Sequence, residues 1–434
     1  MLLTILIFAA IIIKMALLLQ QVTIADPRSA YNGQTTQVLI INGSIAAIGD
    51  DIQPSADTRV VDAQGQVLLP GFTDVFSHFC DPGLEYKETL ETGAAAAAAG
   101  GYCRVLVVPN TQPAVHNKPQ VEYIVQKSKN LPVSILPYGA ISKNCEGKDL
   151  AEMYDMRQSG AVAFSDGINP IQNSQVLTKA LLYVKAFDGV VTQVPDEIAL
   201  SKSGQMHEGV VSTQMGLPGK PALAETLLLN RDIELLRYTG SKLHVTGVST
   251  AASLDLIRRA KAEGLQLTCS VTPYHISFCD EDLQEYDSNL KVNPPLRTRQ
   301  DVDAVREAIM DGTVDCIASH HLPHEYDSKV CEFEYAKYGM SGLETCYAAV
   351  QTALPALNAA QIAELFALAP ARIFGLPLPV IEPGAVAMLT VVAPQQSWTP
   401  EKAALHSLGK NNAFIGRTLQ GHIKGIIHQQ YSSI

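Results

Sequence analysis

This 434-residue chain is short of charge: Lys, Arg, Asp and Glu make up 17% of it, and the net charge is -11. Without a basic excess there is no electrostatic footprint for a nucleic acid. The chain also lacks any Cys-x-x-Cys pair. Its cysteines (Cys80, Cys103, Cys145, Cys269, Cys279, Cys316, Cys331, Cys346) follow no regular framework, which argues against a cysteine-based zinc centre and reads as scattered thiols in a reducing cytosol. No G-x-G-x-x-G or phosphate-binding loop follows any strand-like run, so a nucleotide-binding open sheet is only the runner-up architecture. With 47% hydrophobic residues, the composition is that of a globular protein, neither disordered nor fibrous.

Long apolar runs are scarce too, apart from Met1 to Ile13 (MLLTILIFAAIII), which Lys14 and a second methionine, Met15, follow. The run has no basic leader or clear small-residue cleavage site, and it is too short to span a membrane unless Lys14 is buried. The expectation is an upstream start codon with the working chain beginning at Met15, ahead of a cleaved leader or anchor. A cytoplasmic protein without membrane association follows.

What is present is an alternation of strands and helices. Between Ala16 and Val67, short strands are broken by Gly, Asn and Asp, and Asn42-Gly43 marks a hairpin. Strand fragments return at Ala387 to Val392 and His422 to Ile427. The two ends, residues 15–67 and 375–434, are therefore expected to pair into one composite β-domain, with residues 1–14 as an apolar extension. In the centre, residues 68–374, a strand from Leu68 is followed by a helix through Tyr86 to Thr89 and Ala94 to Ala99. Strand-like runs come next at Arg104 to Val108, Val133 to Leu136, Ala161 to Phe164 and Gly189 to Thr192. Three more lie at Lys242 to Val245, Gln266 to Val271 and Val314 to Ala318. Amphipathic helical patterns separate the later ones. Eight such units predict an α/β fold, a (β/α)8 barrel.

In such a barrel the chemistry sits just past the C-terminal ends of the strands. Those positions read HFCDPG from His78, PNT from Pro109, SDG from Ser165, QVPD from Gln193, TGVST from Thr246, VTPYH from Val271 and SHHLPH from Ser319. With PGFTD at Pro70, EYKETLETG at Glu85, GLPG at Gly216, NLKVNPPLR at Asn289 and GLET at Gly342, the chain resembles dihydroorotases of the amidohydrolase superfamily from about Leu17 to its end. No single motif carries the resemblance; the ordered series does.

The resemblance implies reversible ring closure of carbamoyl-aspartate. A zinc-bound hydroxide attacks, the metal polarises the carbonyl, and a carboxylate carries the proton. It also implies a set of site residues, and here the chain departs from the pattern. The first histidine of the strand 1 pair is Phe76, and only His78 matches. The substrate arginine falls on Cys80, which cannot form a bidentate ion pair. The bridging acid matches Asp166, followed by Gly167. The strand 5 histidine falls on Gln193 or Val194, the strand 6 histidine on Gly247, and the strand 8 aspartate on His320. Asn110, Asn293, His321 and His324 are retained. Candidate substrate contacts are thus Asn110, Asn293 and His324, and the only metal ligands left to consider are His78, Asp166 and His320.

Zinc sites take three or four protein ligands, so no cofactor is expected, with zinc only if the site still works. The expectation is a dihydroorotase-like chain without the activity. Inactive chains of this family are scaffolding partners of aspartate transcarbamoylase, so the resemblance implies that partner and a homo-oligomer. The alternative is an amidohydrolase with a mononuclear or relocated metal, using His78 and the His320, His321 and His324 cluster.

Overall fold

The computed structural model describes residues 15–434; the reading of residues 1–14 lies outside them. Eight parallel strands follow one another around a barrel: β1 (Phe72–Ser77), β2 (Tyr102–Val107), β3 (Ser134–Gly139), β4 (Ala163–Phe164), β5 (Val191–Gln193), β6 (Leu243–Thr246), β7 (Leu267–Val271) and β8 (Cys316–Ile317). Each neighbours the next in chain order. The ring closes where Ser77 bridges His321 in parallel and the His78 amide donates to the His321 carbonyl at 2.8 Å. The expected (β/α)8 architecture is the observed one.

The strands form where apolar, β-branched runs can be buried on both faces. β2 (YCRVLV) is buried throughout. One set of side chains, including Val75, Phe76, Leu106, Val108, Tyr138 and Cys316, fills the barrel interior. The other packs outward against helices such as Ala222–Thr239, which buries Leu228, Leu229, Ile233 and Leu236.

A second sheet flanks the barrel. Ala16–Ile24, Thr35–Ile41 and Ser44–Gly49 join Val67–Pro70, and the late strands Met388–Trp398 and Leu419–His428 complete it. Thr35–Ile41 and Ser44–Gly49 form an antiparallel hairpin through Asn42 and Gly43, both at positive φ (49° and 78°). That is the type I′ geometry which the Asn-Gly pair favours.

Two expectations need correction. The strand read from Leu68 onward is two elements. Val67–Pro70 pairs with Ala16–Ile24 and Met388–Trp398 in the flanking sheet, and the barrel strand begins only at Phe72. Gly71 is the joint: a Cβ there would sit 2.6 Å from Cys103 Sγ and 2.7 Å from Met388 Cγ. The first helix, α1, spans Leu90–Ala99 and does not include Tyr86 to Thr89. Thr89 is its N-cap, in a reciprocal capping box with Thr92 that fixes the start.

Candidate active site

β1 brings Phe76 to the inside of the barrel mouth, where it is 1% exposed. Its ring stacks on the His320 imidazole, centroids 4.3 Å apart and planes 24° from parallel. His320 follows β8 at positive φ (44°), and that turn carries its ring inward over Gly247. A Cβ at Gly247 would lie 2.8 Å from His320 Cε1, and Gly247 itself has φ +74°. The imidazole thus occupies the volume that a side chain at position 247 would need. Beneath it, His320 Nε2 shares a hydrogen bond of 2.8 Å with Thr246 Oγ1, and Ser270 Oγ donates to Thr246 Oγ1 at 2.7 Å. His244 continues this polar chain across the interior through Ser270 (3.1 Å) and Thr268 (2.9 Å). Burial pushes both imidazoles down to about 3, so they are neutral hydrogen-bonding rings.

His78 faces a different partner. Its Nε2 is 2.9 Å from the Asn110 carbonyl, and burial holds its pKa at about 4. Cys80 is buried at positive φ (63°), with Sγ 3.7 Å from the His78 carbonyl. Burial drives its thiol well above the ordinary range, which removes any thiolate nucleophile. Lys87 lies close enough to act on the charge of both residues, a cation that the strand-end reading missed because it sits in the turn before α1.

The Asp166 carboxylate turns toward the loop after β3. It accepts from the Ile141 amide (2.9 Å), the Ser142 amide (2.8 Å) and the Ser142 hydroxyl, while burial raises its pKa to about 6. Asn110 joins the same brace: its Nδ2 donates to the Asp166 carbonyl at 2.9 Å, and its Oδ1 accepts from the Ile168 amide at 3.0 Å. A Cβ at Gly167 would fall 1.8 Å from that Oδ1. Gln193 clamps the Ile171 backbone through two bonds of 3.3 Å.

On the far side of the mouth, Asn293 Oδ1 accepts from Lys220 Nζ at 2.8 Å, and Lys220 Nζ is 3.6 Å from Asp196 Oδ2. Arg297 and Glu225 form a buried pair at 3.3 Å. Burial would raise Glu225, but the Arg297 guanidinium together with hydrogen bonds from Ser249 and Ser253 holds the carboxyl below its ordinary value. Glu225 in turn accepts from the Ser249 and Thr250 amides, both at 3.0 Å, which braces the loop after β6. Only tertiary contact reveals these pairs, since their members lie far apart in sequence. His324 Nε2 donates to the Tyr338 carbonyl at 2.9 Å, and His321 Nε2 is 3.3 Å from Glu88 Oε2 beside α1.

The donor set does not fit a metal. His78, Asp166 and His320 point to separate partners, and among the described residues no group of three His, Cys, Asp or Glu side chains is placed to hold an ion. The structure thus does not bring the three remaining metal-ligand candidates together around one point. The substrate candidates Asn110, Asn293 and His324 each hold protein groups. Cavities of about 460, 370 and 880 Å³ are lined by α1, by the flanking sheet and by the N-terminal ends of strands, away from Phe76 and His320. Among the described residues no helix is long and apolar enough to cross a membrane.

Comparison with known proteins fits this fold. A family model described as dihydro-orotase-like matches residues 65–253. A protein named dihydroorotase from Syntrophus aciditrophicus is 40% identical over 413 residues, covering 94% of this chain and 97% of that one. Another so named, from Pelotomaculum thermopropionicum, is 42% identical over 410 residues, covering 94% and 96%. Among solved structures, the L-hydantoinase (dihydropyrimidinase) of Arthrobacter aurescens superposes with a TM-score of 0.83 at 21% identity, covering 96% and 95%. A dihydropyrimidinase from Brevibacillus agri gives 0.79 at 19%, covering 97% and 95%. At that identity the two structures speak for the fold alone.

Proposed function

We propose, from the premise that the chain belongs to the dihydroorotase family, that it does not close carbamoyl-aspartate and serves as a cytoplasmic structural partner of aspartate transcarbamoylase. The observation that carries the first half is the Phe76–His320 stack over Gly247. Ring closure needs a metal-activated oxygen nucleophile and a carboxylate to move the proton. The stack fills the place of the first, and a neutral imidazole bonded to Thr246 stands in place of the second. The substrate's carboxylate has also lost its cation, since Cys80 is a buried thiol.

The partnership rests on the family resemblance and on a barrel whose framework is whole. The test is direct. Purified protein, dialysed against zinc and assayed for carbamoyl-aspartate cyclisation, is expected to hold no stoichiometric metal and to show no turnover. Zinc at one equivalent with measurable cyclisation would overturn the loss of activity. For the partnership, the expected result is co-elution with the same organism's aspartate transcarbamoylase in a complex larger than either alone; separate elution would overturn it.

A further inference from the structure

The opposite end of the barrel, where its strands begin, holds a cation without a counter-charge. Arg104 stands on β2 in register with Thr73 of β1 and Ser134 of β3. Alternation along the strand puts it on the face of Leu106, which fills the interior. Its side chain therefore lies in the lowest layer of the barrel, and the residue is 7% exposed. Nη1 is buried without a hydrogen-bond partner. Nε and Nη2 make no hydrogen bond among the described residues either, and they keep some accessible surface. Burial lowers the guanidinium's pKa, and no carboxylate acts on its charge. A cation so placed is costly unless an anion joins it.

Ser134, its neighbour in that layer, also lines a cavity of about 880 Å³ between the strand ends and the flanking sheet. His428 of the flanking sheet lines it too, its Nε2 3.0 Å from Ser134 Oγ. Burial and the nearby Arg104 charge hold that imidazole at about 4, so it is neutral, and no carboxylate acts on it either. In a chain with a net charge of -11, no Asp, Glu or C-terminal carboxylate lines this cavity. On the helix Lys118–Lys127 beside it, Glu122 lies 3.6 Å from Lys118 and Lys127 lies 2.6 Å from Asp81. Lys129, in the wall itself, forms no ion pair among the described residues. Near Gly160, Arg157 Nη1 donates to the Ala161 and Val162 carbonyls, while Asp155 of the same helix is exposed. Positive charge thus predominates around the cavity.

We propose that this cavity binds an oxyanion, a phosphate or carboxylate group, held by the Ser134 hydroxyl and the Lys129 ammonium and balanced by the Arg104 guanidinium at the barrel floor. A guanidinium with an open edge matches such a group in charge and shape. When His428 Nε2 donates to Ser134 Oγ, the hydroxyl proton is left for the ligand. The volume falls within the roughly 300–1,000 Å³ of small-molecule sites, which gives room for the body of a molecule bearing that group. The cavity lies at the other end of the barrel from Phe76 and His320, so the inference is independent of the loss of ring closure.

Isothermal titration and thermal melting of the full chain, with sodium phosphate and sodium acetate as separate probes at matched ionic strength, test it. At least one probe is expected to bind saturably at one equivalent and to raise the melting temperature, and the tighter of the two names the group. Ser134→Ala and Lys129→Ala are each expected to weaken binding about tenfold, and Arg104→Met to abolish it. Without anion, Arg104→Met should melt no lower than the unaltered chain, because it removes an unpaired buried charge; an arginine that merely supported the barrel floor would lower it. Lys129 is exposed, so its variant keeps the fold and decides the matter if Arg104→Met does not fold. Absence of saturable heat with both probes, affinity unchanged in Ser134→Ala and Lys129→Ala, or a folded Arg104→Met that binds as before would each overturn the proposal.

Discussion

The strands β1 and β8 meet twice at the barrel mouth, in two quite different ways. At the lower crossing, Asp74 accepts from the Ser319 amide (2.7 Å), the Ser319 hydroxyl (2.9 Å) and the Ser77 hydroxyl (2.6 Å). This buried carboxyl ties the last strand to the first and closes the ring. Two residues further along β1, Phe76 meets His320 in a face-to-face stack. The first contact is polar, fully paired and structural. The second is packing of an aromatic ring on an imidazole. Of the two, barrel closure therefore rests on the polar contact, although they lie side by side.

The comparison can be broken from the closure side with the largest effect. Asp74→Ala would leave three buried donors without an acceptor, at about 1–3 kcal/mol each. The expected loss is at least about 3 kcal/mol, read by chemical denaturation, with insoluble expression as the extreme. On the packing side, Phe76→Ala should open a cavity in the interior cluster and cost about 3–5 kcal/mol. A loss under about 1 kcal/mol would mean that the ring is not part of the core.

A third prediction uses acid. The folded pKa of His320 is about 3, below its ordinary 6.5, so the folded state binds fewer protons than the unfolded one in between. Its stability contribution is complete above pH 6.5 and falls as pH drops below that, by about 1.4 kcal/mol per pH unit. His320→Asn, which tolerates the positive φ, should make the fall in stability from pH 6.5 to 5 shallower by that slope. Next in size, Asn110→Ala removes two loop bonds and should cost about 1–2 kcal/mol, again by denaturation. The smallest effect sharpens the contrast most. Phe76→His alone should gain no zinc after dialysis, as metal analysis would check, because Gly247 and His320 still supply neither the missing imidazole nor the carboxylate.

How much of this the chain discloses in advance depends on range. The eight strands are readable because each is a short apolar run bounded by turn residues. The positions at 76, 80, 247 and 320 are readable because metal and carboxylate chemistry tolerate few residue types. Gly71 is not, since the run from Leu68 to Ser77 is apolar on both sides of the joint and only contact with Cys103 and Met388 separates two sheets. Nor is the inward turn of His320, which depends on the space freed at Gly247.

The overlap between Gly247 and His320 also ties the two positions together. A side chain returning at position 247 would meet the His320 ring at 2.8 Å, on a backbone at φ +74°. The imidazole at 320 must move before any side chain at 247 can be accommodated. The two positions therefore form one steric unit, and a substitution at either has to be read together with the residue at the other.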